Sequence, residues 1–162
     1  MKILSRIWDL EFSKIWRLVW IGIKHPFLVM PTNKATIQTM QICDRIYGDE
    51  HHGDGKANAF RHALWNILIA QRVLKIVKTE EKAISWTEEI TSLHEVLMPN
   101  PPLEKEMDLH NNEMGRKYFP ELEEASKEEI IHFLMKEIKN AVQIKKEGDT
   151  ENFKDVMVYM DK

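Results

Sequence analysis

Apolar positions recur every three or four residues through most of this chain, and the run from about Gly55 to Val77 shows the period best. Phe60, Leu64, Ile67 and Leu68 share one face there, which predicts a long helix. A second stripe of the same helix is polar: Asn58, His62 and Asn66 stand one turn apart, flanked by Arg61 and Trp65. A helix that only fills a core does not normally carry so many polar groups beside a tryptophan.

The same period places the other elements. Residues 3–24 are strongly apolar, with three tryptophans, and His25-Pro26 is expected to end them as a first helix. A second start is expected at Thr32 or Asn33 after Pro31, with Ile37, Met40 and Tyr47 on its periodic face and Gly48 at its end. Thr79-Glu80-Glu81 opens a helix that carries Ile84, Ile90, Leu93 and Leu97 inward and stops at Pro99, Pro101 and Pro102. The next begins near Leu103, carries Met107, Met114 and Tyr118, and is expected to break at Phe119-Pro120. Ser126 with Glu129 makes a capping box for a last helix, expected to run through Ile138, Ala141 and Val142 to Lys145-Lys146. The tail Val156–Met160 is β-prone but alone, and is expected to pack as an extended strip. The pattern therefore predicts an all-α fold, a single compact domain of about six helices with a short extended C-terminal tail: the first an amphipathic, Trp-rich helix over residues 1–25, the others over 26–162.

Composition changes this picture little. In 162 residues, 43% hydrophobic and 30% charged, there is room for one domain with a real core. The net charge of −3 gives no reason to expect nucleic acid as a partner. Its distribution matters more. Lys2, Arg6, Lys14, Arg17 and Lys24 against Asp9 and Glu11 make residues 1–25 net +3, leaving −6 for the rest. Basic residues among tryptophans suit a helix lying on a membrane surface, so residues 3–24 are the expected contact with lipid or a partner protein. The interrupting charges exclude a membrane span, and the short apolar run Leu18–Ile23 does not read as a cleaved signal. The expected location is cytoplasmic, peripheral to the inner membrane. The single Cys43 excludes an internal disulfide and reads as a buried thiol.

Candidate chemistry lies where three helices carry polar groups. His94-Glu95 follows Ile90 at inward spacing. Asp108, Asn111, Asn112 and Gly115 fall on one face of the fifth helix. The glycine costs that helix about 1 kcal/mol, which implies the close approach of a neighbouring helix or a ligand. His62, His94 and Asp108 form the expected catalytic group, because a histidine oriented by a carboxylate suits acid–base work. His62, His94, Glu95 and Asp108 could equally ligate a divalent metal with a position left for water. Asn58, Arg61, Trp65, Asn111, Asn112 and Arg116 are the expected substrate contacts, the two arginines as clamps on an anionic group. The bland alternative is a buried hydrogen-bond network that sets how the helices pack. His94-Glu95 lacks the second histidine of a zincin, since position 98 is Met.

The run Asn58–Asn66 (N-A-F-R-H-A-L-W-N), then His94-Glu95, then Met107–Arg116 (M-D-L-H-N-N-E-M-G-R) resembles a bacterial all-α family of unknown function. Its members share R-H-A-x-W, H-E and D-x-x-N-N-x-x-G segments, and the resemblance spans roughly residues 32–118. It implies that Arg61, His62, Trp65, His94, Glu95, Asp108, Asn111, Asn112 and Gly115 are signature positions. Similar domains at the ends of secreted toxin-like proteins suggest, by analogy, a hydrolase. The resulting expectation is a small, metal-assisted hydrolase acting on a phosphoester or phospholipid-like substrate. The alternative is a non-catalytic helical domain that binds a membrane surface or a protein.

Overall fold

The structure is a computed structural model and describes residues 16–17, 19–98 and 100–161. Its first helix, α1, is described over 16–17 and 19–24. Five more follow: α2 (Pro26–Tyr47), α3 (Lys56–Val77), α4 (Glu80–Leu97), α5 (Pro102–Leu122) and α6 (Lys127–Glu137). The fold is all-α in one compact unit, with a short tail.

Helix α3 is the axis of the molecule. Phe60, Ala63, Leu64, Ile67, Ile69 and Ala70 are fully buried, and the polar stripe Asn58, His62, Asn66 is buried as well. A helix buried on nearly all sides needs neighbours all round it, and α2, α4, α5 and α6 supply them. Gly115 of α5 lets the closest of these contacts form. A Cβ built there would stand 2.4 Å from the Ala63 carbonyl oxygen and 2.8 Å from Asn66 Cβ. The missing side chain of Gly115 is thus filled by a helix backbone, not by a ligand.

Two of the boundaries expected at prolines differ. Helix α2 starts at Pro26 and runs through Pro31 instead of restarting at Thr32 or Asn33. Pro26 sits at the first helical position, where its missing N–H costs nothing. Pro31 gives up one backbone bond, and the burial of Leu28, Ala35, Thr39, Ile42 and Cys43 along one continuous helix outweighs that loss. Thr32 is therefore an interior residue whose Oγ1 donates to the Leu28 carbonyl (2.8 Å). Helix α5 likewise passes Phe119-Pro120 and ends at Leu122, because a proline in the last turn leaves most of the helix's bonds intact.

At the other end α6 is shorter than its periodicity suggests. The capping box forms, with Ser126 Oγ accepting from the Glu129 N–H. The helix then tightens to a 3₁₀ turn at Ile138–Asn140 and gives way to a two-residue strand, β1 (Val142–Gln143). β1 pairs in parallel with β2 (Val158–Tyr159), so the tail is not alone. Asn111 of α5 holds β2 in place: its Nδ2 donates to the Val158 carbonyl (2.8 Å), and its Oδ1 accepts the Val158 N–H (3.0 Å). No helix among the described residues is long and apolar enough to cross a membrane.

Candidate active site

The polar faces of α3, α4 and α5 meet beneath a cavity of about 220 Å³ lined by Thr36, Thr39, Met40, Arg61, His62, Trp65 and His94. The hydrogen bonds around His62 settle which of its nitrogens carries the proton. Arg116 Nη1 donates to Asn66 Oδ1 (3.1 Å), which turns the Asn66 amide so that Nδ2 donates to Asn112 Oδ1 (2.7 Å) and to the His62 carbonyl (2.9 Å). Asn112 therefore presents its oxygen to His62 Nδ1 (3.0 Å) and its Nδ2 to Glu95 Oε1 (3.4 Å). An oxygen that already accepts from Asn66 requires a donor at Nδ1, so the lone pair of His62 lies on Nε2. Arg61 Nη2 donates to that nitrogen at 3.1 Å.

Asp108 Oδ1 stands 3.1 Å from the same Nε2 and is buried without a donor, while Asn100 Nδ2 donates to its Oδ2 (3.0 Å). The short His62–Asp108 distance is not an ion pair. Burial first, and the Arg61 charge next, lower the His62 pKa to about 3, so the ring is neutral at ordinary pH. Burial first, and the Glu95 charge next, raise Asp108 to about 7, against the attraction of Arg61. Burial also raises Glu95. Ligand atoms of His62, Glu95 and Asp108 all lie within 4.8 Å of one another, and all three residues are buried. A neutral imidazole lone pair and two carboxylates turned toward one point form a donor set that fits a divalent cation. The Asn112 bond to Nδ1 is the outer contact that such a histidine ligand needs.

The expected residues divide into three groups. His62, Glu95, Asp108 and Asn112 come together at the centre, with Arg61 and Trp65 at the cavity. His94 faces the cavity but stands outside the ligand set. Its ring meets Trp65 edge-on at 5.2 Å between centroids, and burial, then Arg61, lower its pKa. Asn58, Asn111 and Arg116 do not contact the cavity. Asn58 Nδ2 donates to the Gly53 carbonyl (2.6 Å), Asn111 clamps β2, and Arg116 supports Asn66 and approaches Glu88 (3.7 Å). Long-range packing engages these polar groups in structural bonds away from the cavity lining.

Sequence reasoning missed Asn66 as the residue that orients Asn112, although its place one turn after His62 was a usable signal. Thr36, Thr39 and Met40 come from a helix with no polar motif and carried no signal. Cys43 is buried and free, and burial pushes its thiol up to about 12, which fits an inert side chain. Asp44, His51 and His52 form a second group at the 3₁₀ turn after α2, where the buried His51 Nε2 lies 2.8 Å from Asp44 Oδ1.

Fold and site together define an all-α domain with a buried His–Glu–Asp centre under a small cavity. The chain belongs to the family described as Domain of unknown function (DUF6973), whose model matches residues 19–142. No curated protein and no solved structure matches it.

Proposed function

We propose that this protein is a small hydrolase with a metal-assisted centre at His62, Glu95 and Asp108, acting on a phosphoester or phospholipid-like substrate. The observation that carries the reading is a buried conflict between acceptors. The donorless Asp108 Oδ1 stands 3.1 Å from His62 Nε2, an acceptor whose one donor is Arg61 and which a metal would take over from it, with Glu95 beside them. Such a contact is costly unless a cation or a proton lies between the atoms. A bound divalent cation would supply Lewis-acid polarisation and a water of lowered pKa. Arg61, at the cavity wall, suits the charge of a phosphoryl group. His94 is held neutral across the cavity and is placed to give or take a proton at the leaving oxygen.

The test is elemental analysis of the purified full chain after loading with Zn²⁺ or Mn²⁺, together with turnover of a soluble aryl phosphodiester. A near-stoichiometric metal is expected, lost in His62→Ala and Asp108→Ala along with at least about a hundredfold of the rate. His94→Ala should keep the metal and lose rate. Wild-type protein that takes up no metal overturns the metal-assisted reading and leaves a proton on Asp108 as the answer to the conflict.

A second reading, a non-catalytic domain on a membrane surface, is favoured by a different observation. Trp16, Trp20, Ile23, Phe27 and Met30 follow one another at helical spacing and are each more than half exposed, with Lys24 Nζ 5.3 Å from the centre of the Trp20 ring. Such a stripe suits the interface of an anionic leaflet, and would place the protein in the cytoplasm against the inner membrane. Sedimentation with anionic vesicles checks it. A Trp20→Ser/Phe27→Ser double variant should bind at least about tenfold more weakly, since each large apolar side chain contributes about 1.5–3 kcal/mol when fully buried. Wild-type protein that stays in the supernatant ends this reading.

A further inference from the structure

A second cavity adjoins the first. It is a groove of about 480 Å³ lined by apolar side chains, among them Ile21, Val29, Trp86, Ile90, Leu93 and Leu97. Thr36, Trp65 and His94 line both spaces, so the groove meets the cavity that Arg61 and His62 also line.

The polar atoms of this groove are largely spent. The Trp86 indole N–H donates to Thr32 Oγ1 (3.0 Å), and the Trp65 indole N–H donates to Thr36 Oγ1 (2.8 Å). The hydroxyl protons of Thr32 and Thr36 go in turn to carbonyls one turn back in α2. With the indole N–H and threonine O–H groups satisfied, the exposed Asn33 is the polar amide left along an otherwise apolar lining that suits hydrocarbon. At its rim, Val29 and Met98 both line the groove and are exposed, so it opens to solvent.

We propose that this groove holds the alkyl or acyl chain of an amphiphilic substrate, whose phosphate head lies in the adjoining cavity at Arg61. The head-group assignment rests on the proposed hydrolase, but the chain assignment does not. Two features argue for a chain rather than a protein segment as occupant. The groove runs into a cavity whose wall carries Arg61 and His62, so one molecule apolar along its length and anionic at its end satisfies both. The anionic end also meets a cation, Arg61, while no Asp, Glu, Lys or Arg lines the groove.

Gly22 makes the proposal testable. It lines the groove, and a Cβ there would meet only Val29 Cγ2, at an ordinary 3.8 Å. A leucine at this position therefore fits the backbone, gains helix propensity and occupies groove space. Butyl, hexyl and octyl phosphate, each below its micellar concentration, would be titrated calorimetrically into the metal-free full chain and into Gly22→Leu. The wild type should bind one molecule with affinity rising about three- to fourfold per added methylene. Gly22→Leu should weaken octyl phosphate at least about tenfold and leave butyl phosphate unchanged.

Affinity independent of chain length in the wild type, binding of several molecules per chain, or an octyl affinity untouched by Gly22→Leu each overturns the proposal. Because the titration needs neither metal nor turnover, its outcome is separate from that of the hydrolase. A slope with chain length in a protein that hydrolyses nothing leaves the groove assigned and removes only the chemistry.

Discussion

Gly115→Ala is expected to lower stability by about 3 kcal/mol, or on the order of 10 °C in Tm for a domain of this size. By propensity alone the change should help, since alanine is favoured over glycine inside a helix by about 1 kcal/mol. Packing decides otherwise. The new methyl would lie 2.4 Å from the Ala63 carbonyl oxygen and 2.9 Å from Ala63 Cα, atoms of a helix backbone that cannot rotate away. Helices α3 and α5 must then separate, and that separation moves Asn112 and Asp108 away from His62. Thermal melting of the metal-free protein reads the first effect. Zinc affinity reads the second, and should fall with it. An unchanged Tm would mean that the contact between these helices is looser than described.

Asp108→Asn should have the opposite sign at neutral pH, and a distinctive pH dependence. Asp108 is raised to about 7 from 3.8, by burial and then by Glu95. Between those values the folded protein holds a proton that the unfolded chain has lost, so this group's contribution falls as pH rises. His62 is lowered to about 3 from 6.5, by burial and then by Arg61. In its window the unfolded chain holds the extra proton, so its contribution rises with pH. From about pH 4 to 6.5 the two slopes oppose each other, and the pair together contributes almost no pH dependence.

An asparagine resembles the protonated Asp108 at every pH. In metal-free protein the variant should therefore match wild type near pH 4, and exceed it by about 2–4 kcal/mol at pH 7 and above. Read by itself, the variant keeps the His62 slope, which favours higher pH, against the opposite slope of the raised Glu95. Glu95 is coupled to Asp108, so the difference between the two proteins reads the loss of the Asp108 charge together with its repulsion of Glu95. Denaturant melts at pH 4, 6 and 8 in the presence of a chelator check this. A variant less stable than wild type at pH 8 would show that the Asp108 carboxylate is a structural ion pair. The variant should also fail to take up zinc, with its stability intact.

Much of the architecture was legible because helical periodicity and caps are local signals. The spans of α3 and α4, the capping box at Ser126 and the polar face of each of the R-H-A-x-W and D-x-x-N-N segments follow from residues within a few turns of one another. Proline misled twice. Pro31 and Pro120 look like breaks, yet each costs a bond that burial along a continuous helix can outweigh. The strand pair was invisible for another reason. Val142 and Val158 find each other across sixteen positions, and Asn111 of a distant helix supplies the bonds that hold β2.

The chain's own pattern determined that this would be a helical domain, that α3 would carry a polar stripe, and that His62, His94, Glu95 and Asp108 were the candidate group, from which the packing leaves His94 outside the cluster. Tertiary structure alone decided what each polar residue does. Asn111, Asn112, Arg61 and Arg116 are equally polar on paper. Asn112 fixes the His62 tautomer, Asn111 clamps a strand, Arg61 faces the cavity, and Arg116 supports an amide from behind. The reason is geometric. Spacing along a helix fixes the direction of a side chain to within one face, whereas a hydrogen bond or a metal ligand is chosen within about an ångström, and only the packing of other helices resolves that distance.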